Sequence, residues 1–549
     1  MLHKFHLTIL FLSIGFFSAC GEVKTEKTQS TVTASTAPST QPSSQALTEP
    51  STQPSSPPSQ SVKGESFSTT EGSLFISGTV KYERVSVIHN QGYSYLNRRD
   101  LKLESAKEVN VKLINENEEI VASTYTNNSG EYRFEHIPKN TKFKIRVYAQ
   151  MVKRSKWDVK VIDNSHGGAL YAIEGDLIST GTKSTIRDIK ATASNTAAAP
   201  FAILDSIHLA MQRVIEVDNS VEFPLLKLNW SVNNIETGTY YDGVESIMIS
   251  GDQKGDSDEF DNHIIIHEWG HFFENKLSRA DNIGGPHGST DYLDIRVAFG
   301  EGFGNALSAI ITDDPIYFDT MGNSGWNMNI EEAKHENAGW YSESSIQRIL
   351  YDLYDGNSDG QDNLTLGFAP LYKVLVGKQK NSTTFTSLFT FIDALKRENL
   401  KSSYKIDEIV ASENILPING IYGEGRKALR DSHTLPLYRK VDVGGTINIC
   451  TSDTYGSDKF PRNNKLNHHK YVEFKVTEGR EYTIKVEQSN GRRADPDFAL
   501  YSVTPFEKIT LSEEEGTEQK SLILKEGSYL LDINDANNIS LGCFNVQVN

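Results

Sequence analysis

The chain has 549 residues, with 55 basic against 72 acidic side chains and a formal net charge of −17 at pH 7. That length is enough for several hydrophobic cores. The charge excludes a nucleic-acid partner, because no basic stripe exists to neutralise phosphates.

Met1 to Cys20 reads as a targeting segment: Lys4 gives a basic start, and Phe5 to Phe17 is an apolar run too short to span a bilayer. Phe17-Ser18-Ala19-Cys20 resembles a lipobox, with Phe where Leu is usual, and one of only three cysteines falls at its last position. The resemblance implies that residues 1–20 are a lipoprotein signal peptide and that Cys20 is lipidated. An exported chain is then expected, lipid-anchored to the cell envelope at the outer membrane or cell surface. No later apolar run is long enough to cross a membrane. Residues 21–70 are rich in Ser, Thr, Pro and Gln and repeat Thr-Gln-Pro-Ser-Ser at 40–44 and 52–56. Such a segment cannot bury enough surface to offset its ordering entropy, so it is expected to be a disordered tether.

Over 71–155 short alternating runs predict strands at Leu74–Val80, Val109–Ile114, Tyr132–Phe134 and Phe143–Tyr148, separated by turns such as Asn127-Asn128-Ser129-Gly130. This is the pattern of a small β-sandwich. Thr126 to Phe134 with the following Ile137-Pro138 resembles the carboxypeptidase-regulatory-like module, an accessory domain without chemistry of its own.

The central body, 156–441, predicts a helix over Ala198–Glu216, strands over Phe223–Trp230 and Gly243–Ser250, and helices over Ser344–Tyr354, Thr384–Glu398 and Tyr404–Ser412. Strands followed by helices indicate an α+β arrangement. The strand at 243–250 is the candidate sheet edge for an extended substrate, or else an ordinary interior strand. Between these elements lies His267-Glu268-Trp269-Gly270-His271. A helix brings residues i and i+4 onto one face, so His267 and His271 can offer ring nitrogens to one metal ion, with Glu268 beside the open position. Thirty residues on, Ala298 to Ile311 has helical apolar spacing and contains Glu301, a carboxylate that is costly to bury without a cation. Glu301 is the expected third ligand. His287, in a glycine-rich loop expected to be mobile, and Asp291 and Asp294 are the rivals. A metzincin pattern is excluded, because Leu277 stands where its third His belongs and Glu274 where it needs Gly.

His267-Glu268-Trp269-Gly270-His271-Phe272-Phe273-Glu274 followed by Phe299-Gly300-Glu301-Gly302-Phe303-Gly304-Asn305 resembles the gluzincin group of zinc metallopeptidases, and more loosely so does 198–372 as a whole. The resemblance implies an α+β zincin-like catalytic domain and a catalytic zinc ion. Its substrates would be proteins or peptides, hydrolysed through a metal-activated water with Glu268 as general base. Asn305 replaces the Asp of thermolysin-like enzymes and can still accept a hydrogen bond from a ligand imidazole, while making it less basic than a carboxylate would. The aminopeptidase Gly-x-Met-Glu-Asn signature is absent. Tyr341 and His287 are both candidates for stabilising the oxyanion, and the alternative for Tyr341 is a packed core aromatic.

Asp355, Asn357 and Asp359 are spaced like the start of a calcium loop, although Leu366 stands where an EF-hand needs Glu, so the choice is between a structural Ca²⁺ and a solvated acidic turn. From 442 to 549 alternating runs predict a second β-sandwich. Asp495 to Tyr501 resembles the bacterial pre-peptidase C-terminal module. Cys450 and Cys543, near the two ends of this segment, could form a disulfide in an exported chain. The fold expected is therefore multidomain: a zincin-like body flanked by two small sandwiches. The alternative function is a surface-attached binding or adhesion lipoprotein with a structural or vestigial zinc site. The absence of Cys from the central body weighs against it, since Cys usually closes such sites. An amidase or other hydrolase using the same residues is a third option.

Overall fold

A computed structural model describes residues 74–235, 238–322, 324–332, 337–356, 363–423, 432–456, 463–491 and 493–549. Cys20, the signal segment, the tether, Asn357 and Asp359 lie outside the described residues. The chain is multidomain, built largely of sandwich-like sheets together with helices.

The N-terminal strands are β1 (Leu74–Asn90), β2 (Tyr93–Ser105), β3 (Val109–Asn115), β4 (Ile120–Tyr125), β5 (Glu131–Ile137), β6 (Lys142–Lys153) and β7 (Trp157–Asp163). Short strands β8 (Ala169–Leu170), β9 (Ala172–Glu174), β10 (Ile178–Ser179), β11 (Thr185–Ile186) and β12 (Ile189–Ala191) line their margins. Alternation puts Leu74, Ile76, Val80 and Tyr82 of β1 and Phe143, Ile145, Val147, Ala149 and Met151 of β6 into one core. Then come α1 (Ala199–Val217), β13 (Leu226–Trp230), β14 (Tyr240–Tyr241) and β15 (Ser246–Ile249).

The boundary expected at 155–156 falls inside one sheet. β7 pairs antiparallel with β6 and parallel with β13, giving the order β14-β15-β13-β7-β6-β3-β4. The continuity has a simple cause: β7 buries Trp157, Val159 and Val161 against the same cluster as α1, so the N-terminal module and the central body share a core. Of the two readings of the strand at 243–250, the structure shows the interior one. β15 lies between β13 and β14, and the two-residue β14 is the strand outside it.

Next come α2 (Asn262–Lys276), α3 (Ile295–Thr312), the hairpin β16 (Ile316–Met321) and β17 (Ser324–Asn329), α4 (Glu343–Tyr354), α5 (Phe368–Val374), α6 (Leu388–Glu398) and α7 (Ser403–Ser412). α3 packs between α2 and α4 and is buried from Ile295 to Ile311, so it has no solvent face. Gly270 of α2 faces Gly304 of α3 so closely that a Cβ on Gly270 would lie 3.2 Å from the Gly304 Cα. No helix among the described residues is long and apolar enough to cross a membrane.

The C-terminal strands β18 (Tyr438–Lys440), β19 (Thr446–Thr451), β20 (His469–Val476), β21 (Arg480–Asn490), β22 (Pro496–Val503), β23 (Phe506–Ser512), β24 (Glu518–Leu524), β25 (Gly527–Asp535) and β26 (Gly542–Val548) form two sheets, β18-β20-β25-β22-β23 and β19-β26-β21-β24. A separate core of Val472, Phe474, Tyr482, Ile484, Phe498 and Phe544 lies between them. Cys450 and Cys543 face each other across β19 and β26 and are disulfide-bonded.

One outer face of this sandwich is glued to the central body. Arg296, buried at the start of α3, reaches Asp294 at 2.8 Å and Asp532 of β25 at 2.7 Å, lies over the Phe385 ring, and is closed in by Tyr471, whose hydroxyl donates to Asp294 at 2.8 Å. Burial alone would raise the Asp532 carboxyl, but Arg296 and His469 outweigh it and hold it well below the usual range. Its contribution to stability is therefore full above the unfolded value of about 3.9 and is lost as pH falls through the folded one. Asp532→Ala leaves Arg296 half-paired in the interior and should destabilise the junction by about 3–5 kcal/mol, measured as an earlier transition in chemical denaturation at neutral pH.

Candidate metal centre

The centre is built where α2 crosses α3. His267 and His271 point from one face of α2, with their Nε2 atoms 3.1 Å apart. Glu301, fully buried on α3, sets Oε2 3.3 Å from His267 Nε2 and 3.4 Å from His271 Nε2. Ligands on a tetrahedral zinc at about 2.0–2.1 Å are separated by about 3.3 Å, so these three atoms fit that ion. The approach depends on Gly304, where a Cβ would lie 2.9 Å from the His267 ring.

Each donor is oriented from behind. His267 Nδ1 lies 2.8 Å from Asn305 Oδ1, and the Asn305 amide nitrogen donates to Gln347 Oε1 at 2.9 Å. That leaves Asn305 Oδ1 to accept from Nδ1–H, which turns the Nε2 lone pair inward. Glu274 stands 3.9 Å from His271 Nδ1, and Asn282 donates to Glu301 Oε1 at 2.9 Å. Neither residue stands out in the sequence as an orienting group.

Glu268 lies beside the cluster, Oε1 3.9 Å from His267 Nε2, while its Oε2 accepts from the Tyr241 backbone N–H of β14 at 2.9 Å. Burial pushes its carboxyl up. His287 enters from the 284–294 loop, with Nε2 3.3 Å from Glu301 Oε2 and 3.6 Å from Glu343 Oε2, and Nδ1 3.1 Å from the Gly285 carbonyl. Burial alone would lower His287, but Glu301 and Glu343 outweigh it and raise it to about 10. Burial alone would raise Glu301, yet the imidazoles around it, His287 first, hold it well below the usual carboxylate range.

The glycine-rich loop expected to be mobile is pinned by the C-terminal segment. Lys465 donates to Pro286 O at 2.6 Å, Asn464 donates to Gly284 O at 3.0 Å, and Leu466 N donates to Tyr292 O at 2.8 Å. The two rival carboxylates are engaged elsewhere: Asp291 pairs with Lys465 at 3.0 Å, and Asp294 caps α3 and pairs with Arg296.

Tyr341 sits in an aromatic stack. Its ring lies 4.9 Å from Tyr292, its carbonyl accepts from Leu293 N, and Tyr292 and Tyr455 are the groups that act on its phenol. The phenol facing the cluster is Tyr317 of β16, edge-on to the His267 ring at 6.2 Å and held protonated by burial and by Asp319 and Glu268. Nothing in the sequence marks Tyr317, because the β16–β17 hairpin carries little alternation. Asp355 is buried at the C-terminal end of α4, where its N–H donates to Tyr351 O.

Residues 218–413 match the family model described as the Mycolysin C-terminal domain, a domain found in peptidases. That span takes in His267, Glu268, His271, His287 and Glu301. No curated protein matches the chain. Among solved structures, the pre-peptidase C-terminal domain of a collagenase from Bacillus anthracis is 16% identical over 20% of this chain and 94% of its own, with a TM-score of 0.16. CorA, a surface-associated copper-binding protein of Methylomicrobium album BG8, is 9% identical over 20% of this chain and 96% of its own, with a TM-score of 0.17. PliG, a periplasmic inhibitor of g-type lysozyme from Aeromonas hydrophila, is 11% identical over 20% and 97%, with a TM-score of 0.14. Likeness at these scores carries no argument about activity.

Asn305→Ala removes the acceptor behind His267 and should weaken zinc binding about 10- to 100-fold, read by competition with a chromogenic chelator, while Asn305→Asp restores it.

Proposed function

We propose that the protein is a zinc-dependent peptidase acting on proteins of the envelope or its surroundings. One observation carries the reading: two Nε2 atoms and one carboxylate oxygen converge at 3.1–3.4 Å with Glu268 alongside. The family match across the same residues supports it.

Zinc held by His267, His271 and Glu301 would supply a Lewis acid for the scissile carbonyl and acidify the attacking water. Glu268, within reach of that position, takes the proton of the water and passes it to the departing amine. The Tyr241 N–H on its other oxygen fixes the carboxylate direction. A phenol or imidazolium beside the cluster stabilises charge developing on the carbonyl oxygen. We assign that role to Tyr317, edge-on to the His267 ring, and to His287 beside Glu301, in preference to Tyr341. Export, with a lipid on Cys20 holding the body at the envelope by its tether, agrees with a domain whose homologues are extracellular. A structural Ca²⁺ at Asp355, Asn357 and Asp359 is the lesser part of this proposal.

A second reading follows from His287. Its Nε2 is 3.3 Å from Glu301 Oε2, against 3.3 and 3.4 Å for the other two imidazoles. A fourth protein ligand would close the site and make it structural, as in a surface-binding lipoprotein. The two readings separate on purified mature chain. On the peptidase reading, Glu268→Gln abolishes casein cleavage with one zinc retained, and His287→Ala keeps its zinc. A closed site requires that chelation leave no cleavage to lose and that His287→Ala release metal as readily as His267→Ala. A Glu268→Gln protein cleaving casein at the wild-type rate refutes the general-base role.

A further inference from the structure

A second group of carboxylates lies on the far side of Glu268. Asp256 and Asp258, on the segment leading into α2, and Asp319 of β16 bring one carboxylate oxygen each within 4.8 Å of one another. Asp258 is 2% exposed and Asp319 9% exposed. In all three residues Oδ1 has no hydrogen-bond partner, and although Asp256 is hydrogen-bonded to Asp258 and Asp319 to Trp326, no described Lys, Arg or His forms an ion pair with any of them. The three residues line one cavity of about 50 Å³ together with Thr239, Tyr317 and Trp326.

Three carboxylates in so small a space repel one another, and a buried oxygen without a donor is costly. Burial and mutual repulsion push Asp258 far up and Asp319 to about 7. A small cavity walled by acceptor oxygens suits a hard divalent cation. Oxygens at about 2.3–2.6 Å from Ca²⁺ can be at most about 5 Å apart, which these satisfy. The ligand set has no nitrogen or sulfur, which separates it from the imidazole-rich centre next door.

We propose that Asp256, Asp258 and Asp319 form a binding site for one calcium ion. Thr239, which donates its hydroxyl to the other Asp258 oxygen, fixes that carboxylate and leaves Oδ1 turned to the cavity. Water completes the coordination shell. The ion ties the segment before α2 to β16 at the point where Asp256 and Met321 already form a backbone bridge. It thereby holds Tyr317, two residues before Asp319 in the same strand, against His267 and Glu268. The site stands whether or not the imidazole cluster hydrolyses peptides.

The test uses the mature chain carrying Asp355→Asn, so that the other proposed calcium position contributes nothing, freed of divalent ions and resupplied with one equivalent of Zn²⁺. Terbium should give emission sensitised by Trp326, which Ca²⁺ at about 1 mM displaces, and Ca²⁺ alone should raise the melting temperature. Asp258→Asn and Asp319→Asn should each weaken Tb³⁺ binding at least about tenfold, the loss expected for a ligand carboxylate. Their melting temperature without calcium should match or exceed the parent's, because like charges have been removed. A melting temperature of the parent unmoved by Ca²⁺ overturns the site, whatever the variants do. So does terbium emission that survives in both variants, or terbium that Zn²⁺ displaces and Ca²⁺ does not.

Discussion

The arrangement depends on how closely two helices can approach. Gly270 and Gly304 remove the side chains that would hold α2 and α3 apart, and the His267 ring occupies the room that any Cβ at 304 would take. Only at that distance does Glu301, on a helix with no solvent-facing side, deliver a carboxylate oxygen to ring nitrogens on the neighbouring helix. The glycines at 300 and 302 serve the same end on other sides of α3, where Asn282 and Ile346 press against the backbone. A carboxylate so fully buried would be unfavourable alone, and the surrounding imidazoles are what keep it ionised.

The C-terminal sandwich takes part in the centre without contributing a ligand to it. Asn464 and Lys465 bind carbonyls of the loop that carries His287, and Arg296 locks the start of α3 to β25. A loop of Gly284, Gly285 and Pro286 would otherwise have many conformations open to it, and those two side chains remove most of that freedom. Where such a module looks like an appendage in a linear domain map, here it holds the loop that brings His287 to the cluster.

The β16–β17 hairpin plays the corresponding part on the opposite side. Asp261 accepts from the Thr320 backbone and hydroxyl, Asp319 closes the acidic cavity, and Tyr317 reaches the imidazoles. Glu268 lines that cavity as well, so the two carboxylate-bearing regions are electrostatically joined through one residue. The cluster, the loop and the hairpin meet along one side of α2, and the sheet that supports them runs without interruption from β4 to β14.

What the sequence determined by itself is local. The i, i+4 histidines, the apolar period around Glu301, the helices at 198–216, 344–354 and 404–412, and the strand alternation of both end segments all follow from side-chain spacing along a helix or strand, which no distant contact has to set. Tertiary structure decided the rest. That β7 joins the N-terminal module to the central sheet, that β14 covers β15, that His287 is held and Asp291 and Asp294 are used up, and that Tyr317 faces the cluster while Tyr341 stacks on Tyr292, depend on partners tens to hundreds of residues away. Spacing along one element fixes which side chains share a face. Which face meets which neighbour is fixed only when the whole core packs, because each pairing is chosen against every competing burial at once.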